Sequence, residues 1–209
     1  MREFTDEPVP DTALHAIIEQ ARFAPSGGNR QGTRVIIVRD SATKAAIAEL
    51  AVPAAKRYRA QQQRGENPWN TVDETTADAA AIEATSAPAG LTTQYSAAPV
   101  LLVVCVDLKV VASVDRYLDR VGMVSGASVY PLAWSILLAA RAAGYGGTLT
   151  TMPIAEEPKL QALLGLPKHV AVAAVVPLGR PVRTLTKLKR LRVSEIAMHE
   201  RWGGPPLSP

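Results

Sequence analysis

The strongest apolar pattern of the chain lies between residues 122 and 147. From Ser128 onward, apolar residues fall on nearly every side of a 3.6-residue repeat, which predicts a central helix buried on all faces. Pro131 removes a backbone donor, so the helix must start or kink there, with Ser128 as a candidate cap. Gly144 ends it, and residues 148–152 then read as a short strand whose amides could face a ligand. An ordinary helix cap before a strand explains the same glycines equally well.

The rest of the chain alternates between helical and strand patterns. Helices are predicted at 11–23, 41–64 with an interruption at Pro53, and 156–164, and strands at 33–39, 99–107 and 169–178. The runs at 99–107 and 169–178 are almost continuously apolar, which favours strands covered on both faces. This order predicts an α+β fold, a helix-covered sheet with strands in both orientations.

Residues 1–209 are predicted to form one domain. Two segments of it lack the alternation of helical and strand patterns. Residues 64–98 are polar and weakly patterned, with Trp69 and Tyr95 as candidate anchors, which is typical of a lid or binding loop. The C-terminal arm at 180–209 is polar with few apolar anchors, so it is expected to wrap over another surface.

Composition narrows the class of protein. The net charge is +4, and the positive charge is concentrated at 180–192. Such a run could bind nucleic acid or a phosphate group, or could simply increase solubility. Trp202 is the one aromatic near that run, so nucleic-acid binding is disfavoured. The single Cys105 lies in an apolar run and is expected to be a buried structural thiol, consistent with a reducing cytoplasm. No apolar run reaches the roughly 18 residues of a membrane span, so no membrane partner is expected.

Few residues offer chemistry of their own. The three histidines are scattered and no metal-ligand spacing is found, so no metal is expected. No nucleophile elbow or Walker loop is present, and the glycines at 144–147 follow a helix where a dinucleotide fingerprint would open one. If the chain is an enzyme, a cofactor carries the reaction. The loop at 24–33, APSGGNRQGT, offers amides and side-chain donors for a polar planar ligand, or is simply a long polar connection.

Several pieces of sequence occur in an informative order. They are REF and EPV near the N-terminus, APSGGNRQ at 24–31, GASVYPLAWSILLAARAAGYGG at 126–147, LLGLP at 163–167 and HERW at 199–202. In order and spacing they resemble the nitroreductase family of FMN-dependent enzymes, over nearly the whole chain apart from the insert. The resemblance implies a nitroreductase-like mixed β-sheet covered by helices, with the long central helix in an intertwined homodimer interface. It also implies one FMN in each of two clefts between subunits.

The resemblance further implies which residues hold FMN, while no side chain is expected to be catalytic. Arg2 would stabilise negative charge on the reduced flavin pyrimidine. The loop at 24–31 would pack beside the ring from the partner subunit, backbone amides near residue 150 would face its N5 and O4 edge, and tail cations, with Lys189 as a further candidate, would clamp the phosphate. The implied set is Arg2, Pro25, Ser26, Gly27, Asn29, Gln31, Leu149, Thr150, Thr151, Arg190 and Arg192.

The implied activity is an FMN-dependent oxidoreductase that passes hydride from NADH or NADPH to a planar electrophilic acceptor, such as a nitroaromatic or quinone, by a ping-pong mechanism. Dehalogenase-like or flavin-destruction activity is a variant that no residue distinguishes. Relatives normally carry an Arg-x-Ser element before the position of Arg2, where this sequence has Met1. That departure keeps a second interpretation open, a flavin-binding or FMN-storage protein with little turnover.

Overall fold

The computed structural model describes residues 1–208 and is built around a four-stranded sheet. The strands are β1 (Thr33–Val38), β2 (Val100–Asp107), β3 (Gly146–Gly147) and β4 (Val170–Gly179), in the order β1-β2-β4-β3. The helices are α1 (Asp11–Ala21), α2 (Ser41–Gln63), α3 (Ala79–Ala84), α4 (Ala89–Ala97), α5 (Tyr130–Ala142), α6 (Glu157–Leu164) and α7 (Val193–Ile196). The α+β class is confirmed. The strands run in both orientations, as predicted, and because every pairing between these strands is antiparallel, the parallel pairs that a mixed sheet would include are not found among them.

Helices cover the sheet on both faces, and the alternation of side chains along β2 shows how. Leu102 and Val104 point to a core shared with α1 and α5, whereas Leu101 and Val103 point to a core shared with α2, α4 and α6. Cys105 belongs to the second core and is 1% exposed, so the prediction of a buried structural thiol is confirmed. Burial raises the pKa of this thiol to about 11, which keeps it protonated and unreactive.

Helix α2 runs without a break from Ser41 to Gln63, so the predicted interruption at Pro53 is wrong. Pro53 is exposed, and the carbonyl one turn before it can be hydrogen-bonded by water instead of by a backbone amide. The helix begins at a cap that the sequence contains, because the side chain of Asp40 accepts a hydrogen bond from the amide of Thr43 at 2.7 Å.

Helix α5 begins where Pro131 requires, since that proline lies in its first turn. Ser128 is not its cap; the cap position is Val129, with no side-chain hydrogen bond, and the Ser128 hydroxyl accepts one from the amide of Gly27 at 3.1 Å. The expectation of burial on every face is also wrong, because Trp134 is 60% exposed. The helix is apolar all round, yet this chain covers only one side of it.

The segment after α5 is less regular than predicted. The strand expected at 148–152 is replaced by the two-residue β3, a single bridge between Thr150 and Val175, and a 3-10 turn at Met152–Glu156. Pro153 cannot donate to a strand ladder, which ends the pairing. At Gly147 a Cβ atom would lie 2.8 Å from the carbonyl oxygen of Pro177, so the close approach of the two backbones requires glycine.

The arm begins beside the N-terminus. The amide of Thr5 donates to the carbonyl of Arg180 at 2.9 Å, and that of Val182 donates to the carbonyl of Glu3 at 3.2 Å. Farther along, its apolar side chains remain exposed, namely Val182, Leu185, Leu188, Leu191, Val193, Ile196 and Trp202. None of the helices in the described part of the chain combines the length and apolar character that a membrane crossing needs.

Candidate functional site

A cavity of about 380 Å³ lies where the arm meets the N-terminus, and it is basic. Its lining consists of Met1, Arg2, Glu3, Arg183 and Leu185. Neither Arg2 nor Arg183 forms an ion pair with a described carboxylate, so both guanidinium groups remain for an anion. Burial, and then the charge of Arg2, lower the pKa of the Met1 ammonium, which donates to the carbonyl of Gly147 at 3.0 Å.

The tail arginine that reaches this cavity is therefore Arg183. Arg190 and Arg192 do not line it; Arg190 donates to the carbonyl of Lys189 at 2.7 Å, and Arg192 lies 3.9 Å from Glu195. Sequence reasoning missed Arg183 because a run of basic residues does not reveal which member lies beside the N-terminus. The signal is tertiary: the backbone pairing of Glu3 with Val182 sets the neighbouring Arg183 against Arg2.

The loop at 24–31 is tightly wound and unusual in its backbone. Gly28, Asn29 and Gln31 have φ angles of 60°, 52° and 50°. For residues with side chains this left-handed region costs free energy, and such residues concentrate at functional sites. The Ser26 hydroxyl fixes the turn by accepting a hydrogen bond from the amide of Gln31 at 2.9 Å. The loop presents Pro25, Ser26 and Gln31 to a cavity of about 150 Å³ at the start of α5.

Thr150 and Thr151 differ in what their amides can do. The amide of Thr150 already donates to the carbonyl of Val175 at 3.0 Å, while that of Thr151 donates to no described residue. Of the two, only Thr151 therefore has an amide available to a ligand. The Thr150 side chain is fixed by a hydrogen bond, because its hydroxyl lies 2.9 Å from the hydroxyl of the fully buried Tyr95. Leu149, the residue before them, packs against the core and positions the segment.

Burial raises the pKa of Tyr95 to about 12, so its hydroxyl stays protonated and hydrogen-bonded at any physiological pH. Tyr95 belongs to α4, within the insert, which therefore supports the segment that carries Thr151. The sequence marked Tyr95 only as an anchor of the insert and contained no sign of its partner.

A third, largely apolar cavity of about 500 Å³ adjoins Thr151. Helix α2 contributes Ala54 and Tyr58, the insert contributes Pro68 and Trp69, and the turn after Thr151 contributes Met152, Ile154 and Ala155. The insert thus lines a cavity beside the threonine amide, where a flat apolar molecule could lie.

The loop at 24–31 and Arg2 lie at opposite ends of α5. Gly27 is bonded to Ser128, just before the helix, and Met1 is bonded to Gly147, just after it. Thirteen residues of α-helix span about 20 Å. One copy of the chain therefore keeps these two groups of residues far apart.

Between those ends, α5 presents an uncovered apolar stripe. Tyr130, Trp134 and Leu138 are 43%, 60% and 53% exposed, and their spacing of four residues puts them on one side of the helix. A groove of about 670 Å³ runs alongside, with Met123 and Ala173 among its lining residues. A continuous apolar surface of this kind is typical of a protein interface.

Comparison with known proteins agrees with the resemblance found in the sequence. The sequence model described as "Nitroreductase family" matches residues 1–180. An NADH dehydrogenase of Thermus thermophilus is 27% identical over 95% of this chain and 90% of its own length. An FMN reductase [NAD(P)H] of Bacillus subtilis is 29% identical over 91% of this chain, and rat iodotyrosine deiodinase 1 is 28% identical over 94%. This chain spans 66% and 64% of those two longer proteins.

Solved structures show the same fold. The NADPH:FMN oxidoreductase of Vibrio harveyi, complexed with NAD⁺, superposes with a TM-score of 0.69 at 20% identity, covering 96% of this chain and 73% of its own. An oxidised iodotyrosine deiodinase, bound to FMN and 3-iodo-L-tyrosine, gives a TM-score of 0.67 at 22% identity, covering 96% and 93%.

Proposed function

Because the chain belongs to the nitroreductase family, we propose that it is an FMN-dependent oxidoreductase that passes hydride from NADH or NADPH to a planar electrophilic acceptor. The acceptor is a nitroaromatic, a quinone or a similar molecule. The observation that carries this proposal is that a basic cavity and an apolar cavity both adjoin the short segment from Gly147 to Thr151. Met1, which lines the basic cavity with Arg2, is bonded to Gly147, and Thr151 lines the apolar cavity. The basic surface suits the phosphate of the cofactor, and the apolar cavity leaves space for a planar acceptor beside it.

The residues present fit FMN part by part. Arg2 and Arg183, which have no described carboxylate partner, offer charge to an anionic group. The amide of Thr151, which has no described acceptor, offers a hydrogen bond to a ring atom without requiring an acidic side chain. The apolar walls beyond Thr151 exclude water from the neighbouring space. Arg190 and Arg192 stay as candidates for closing over the phosphate when the arm meets a second copy.

We propose that the working unit is a homodimer joined along α5. Two α5 helices that cross antiparallel about a twofold axis bring the start of one next to the end of the other. The loop of one copy, with Pro25, Ser26, Gly27, Asn29 and Gln31, then lies beside Arg2 and Thr151 of the other. The exposed apolar stripe of α5 and the exposed apolar residues of the arm supply the surface for such a contact. Each dimer contains two such sites.

Bound FMN would supply the chemistry, accepting hydride from the nicotinamide and giving it up to the acceptor that replaces the nicotinamide in the same cleft. The chain's own residues do the rest. Arg2 would offer positive charge to the anionic reduced ring while Arg183 would face the phosphate, and the amide of Thr151 would donate a hydrogen bond to the ring edge. Because the hydroxyl of Ser26 already fixes the strained loop, less conformational entropy should be lost when a ligand binds.

The proposal is tested by adding FMN to the purified protein, removing the unbound fraction and titrating the retained flavin anaerobically with NADH and with NADPH. We expect retained flavin whose absorbance bleaches with at least one nucleotide. Arg2→Gln should weaken FMN retention by about tenfold or more, since it removes one charge-assisted contact. Arg59→Gln, which removes an exposed arginine from α2, is the matched control and should retain FMN normally.

Two results would contradict the proposal in different ways. Flavin that is held firmly but bleaches with neither nucleotide indicates an FMN-storage protein with little turnover. A protein that holds no flavin at any concentration of FMN is not an FMN enzyme.

A further inference from the structure

The apolar cavity beside Thr151 has no charged residue in its lining. Its polar groups are the hydroxyl of Tyr58 and the backbone and hydroxyl of Thr151. The nearest acidic residue in sequence, Glu156, is already paired with Lys159 at 2.6 Å. A charged group placed in this cavity would therefore lose water without meeting an oppositely charged side chain in the lining.

One wall of the cavity is an indole ring in a fixed position. Trp69 has a φ of 57°, and its amide donates to the side chain of the buried Gln61 at 3.2 Å. Arg57 lies one turn before Gln61 on α2, and its guanidinium is 4.5 Å from the centre of the indole ring. Arg57 does not line the cavity, so it supports the ring from outside it. Its Nε atom is buried and makes no hydrogen bond with any described residue, which leaves the indole as its main partner.

The indole is nevertheless accessible. Trp69 is 42% exposed, a high value for a tryptophan whose backbone and ring are both anchored to a helix. A flat aromatic ring can stack on such a surface or meet it edge-on. Met152 and Ile154 also line the cavity and provide apolar contacts for the same ring.

We infer that the acceptor of the proposed flavin reaction is an uncharged planar aromatic molecule held against Trp69, and that aromatics carrying an amino-acid group are excluded. The inference rests on the proposed function, because it names the substrate of that site. It separates this chain from the structural neighbour bound to 3-iodo-L-tyrosine, whose ligand has an ammonium and a carboxylate. Trp69 is the residue that holds the aromatic ring, and Arg57 is a positioning residue that acts through it.

The test compares two nitroarenes that share one ring and differ in charge, 4-nitrobenzyl alcohol and 4-nitro-L-phenylalanine. Their Kd values are measured by calorimetric titration of the FMN-loaded protein without nicotinamide. We expect the uncharged compound to bind at least about tenfold more tightly. Trp69→Ala should weaken its binding by about tenfold, whereas Trp69→Phe, which keeps a ring, should weaken it less.

Two further variants separate stacking from support. Arg57→Met keeps the length of the side chain but removes its charge, so a smaller loss than in Trp69→Ala is expected. Phe23→Leu alters an aromatic side chain that is 75% exposed just after α1 and does not line this cavity, so it should leave both Kd values unchanged. Circular dichroism of each variant checks that the fold is intact. Equal affinity for the two nitroarenes, or unchanged binding in folded Trp69→Ala, would overturn the inference.

Failure of this inference and failure of the proposed function give different results. If the protein holds no FMN, or its FMN is not reduced by NADH or NADPH, the proposed function fails before any acceptor is added. If FMN is reduced normally but the charged nitroarene binds as well as the uncharged one, only the inference fails. The titration is repeated on protein without FMN, because the cavity walls belong to the chain, so the preference is measured in either case.

Discussion

Two tryptophans are partly exposed for opposite reasons. Trp69 is 42% exposed on the wall of a cavity, where its amide is bonded to Gln61 and its ring lies against Arg57. Trp134 is 60% exposed on the outer side of α5, between Tyr130 and Leu138. The first is held in position by its own chain and faces a concave space, while the second belongs to an open stripe.

Exposure of an apolar side chain is therefore informative only together with the shape around it. A cavity that has about the volume of a small molecule points to a ligand, whereas a stripe along a helix points to another protein surface. Variants at either tryptophan test these two assignments directly, and variants at the residues that hold each surface in place test them through smaller effects.

The largest effect is expected from Trp134→Glu. At the proposed twofold contact along α5, this change buries an uncompensated carboxylate from each copy. Each costs about 3–5 kcal/mol, so the dissociation constant of the proposed dimer should rise about a hundredfold or more. Light scattering after gel filtration should show half the mass, and FMN should no longer be retained. The fold should survive, because this side chain is exposed in the single chain.

Leu163→Glu is the matched control for that variant. Leu163 is 40% exposed on α6, on the other side of the sheet from α5, so its charge should leave the mass and the flavin unchanged. An unchanged mass for Trp134→Glu would refute the interface on α5.

The next largest effect is expected at Asp115, which holds the loop bordering the open stripe. Its carboxylate is 3% exposed and accepts hydrogen bonds from the amide of Met123 at 2.7 Å and from Arg120 at 2.9 Å. The amide of Met123 is the main cause of a lowered pKa for this carboxyl, which burial partly opposes. Asp115→Asn should lower Tm by about 2–4 °C at pH 7 and weaken the dimer.

The pH dependence of this variant follows from the direction of that shift. A carboxyl whose pKa is lower in the folded protein stabilises it fully above the unfolded value of about 4, and that contribution is lost as the pH falls further. The difference in Tm between the wild type and Asp115→Asn should therefore be constant from pH 7 to about 5 and shrink in more acidic solution. A difference that grows on acidification would contradict the role of the carboxylate.

The contrast between the two surfaces also shows what the sequence could and could not predict. Continuous apolar runs identified β2 and β4, because a strand covered on both faces is apolar at consecutive positions. The same all-round apolar pattern in α5 predicts burial within one chain, which is wrong at Trp134, because periodicity indicates that a face avoids water and does not indicate what covers it. The interruption predicted at Pro53 is wrong for a related reason. Whether that point of the helix is exposed to water depends on the tertiary structure and is not contained in the local sequence.

At the candidate site, local signals were predictable and distant partners were not. The loop at 24–31 could be recognised from its polar and glycine residues, and its backbone proved to be strained as well. The contact of Arg183 with the cavity of Arg2 and the bond of Tyr95 to Thr150 join residues far apart in sequence. A single sequence contains no information on such pairings unless each partner belongs to a recognisable motif.

A smaller effect is expected behind the cavity, at the pair of Tyr95 and Thr150. Tyr95→Phe removes the 2.9 Å hydrogen bond between the hydroxyls of the buried Tyr95 and the half-buried Thr150, and it should cost about 0.5–1.5 kcal/mol of unfolding free energy. Thr150→Val should cost a similar amount, and the double variant should cost about as much as either one, because the bond can be lost only once. Urea unfolding of the four proteins measures the coupling. Additive losses would mean that the two hydroxyls do not act as a pair.

The smallest effect is expected at Glu66, which fastens the part of the insert that carries Trp69. Its carboxylate accepts hydrogen bonds from the hydroxyl of Thr76 and the hydroxyl of Thr75, in that order of importance, and its pKa is lowered to about 2. Its stabilising contribution should be complete above about pH 4.3 and be lost between there and pH 2. Because solvent screens this surface carboxylate, Glu66→Gln should change Tm by less than Asp115→Asn does.

Glu66→Gln should still alter the affinity for an uncharged nitroarene by about twofold, since it loosens the chain that positions Trp69. It should leave the mass of the dimer untouched, as the insert and the stripe on α5 are separate surfaces. Calorimetric titration and light scattering on the same preparation give both values. A change in mass without a change in affinity would mean that the insert, and not only α5, takes part in the contact between copies.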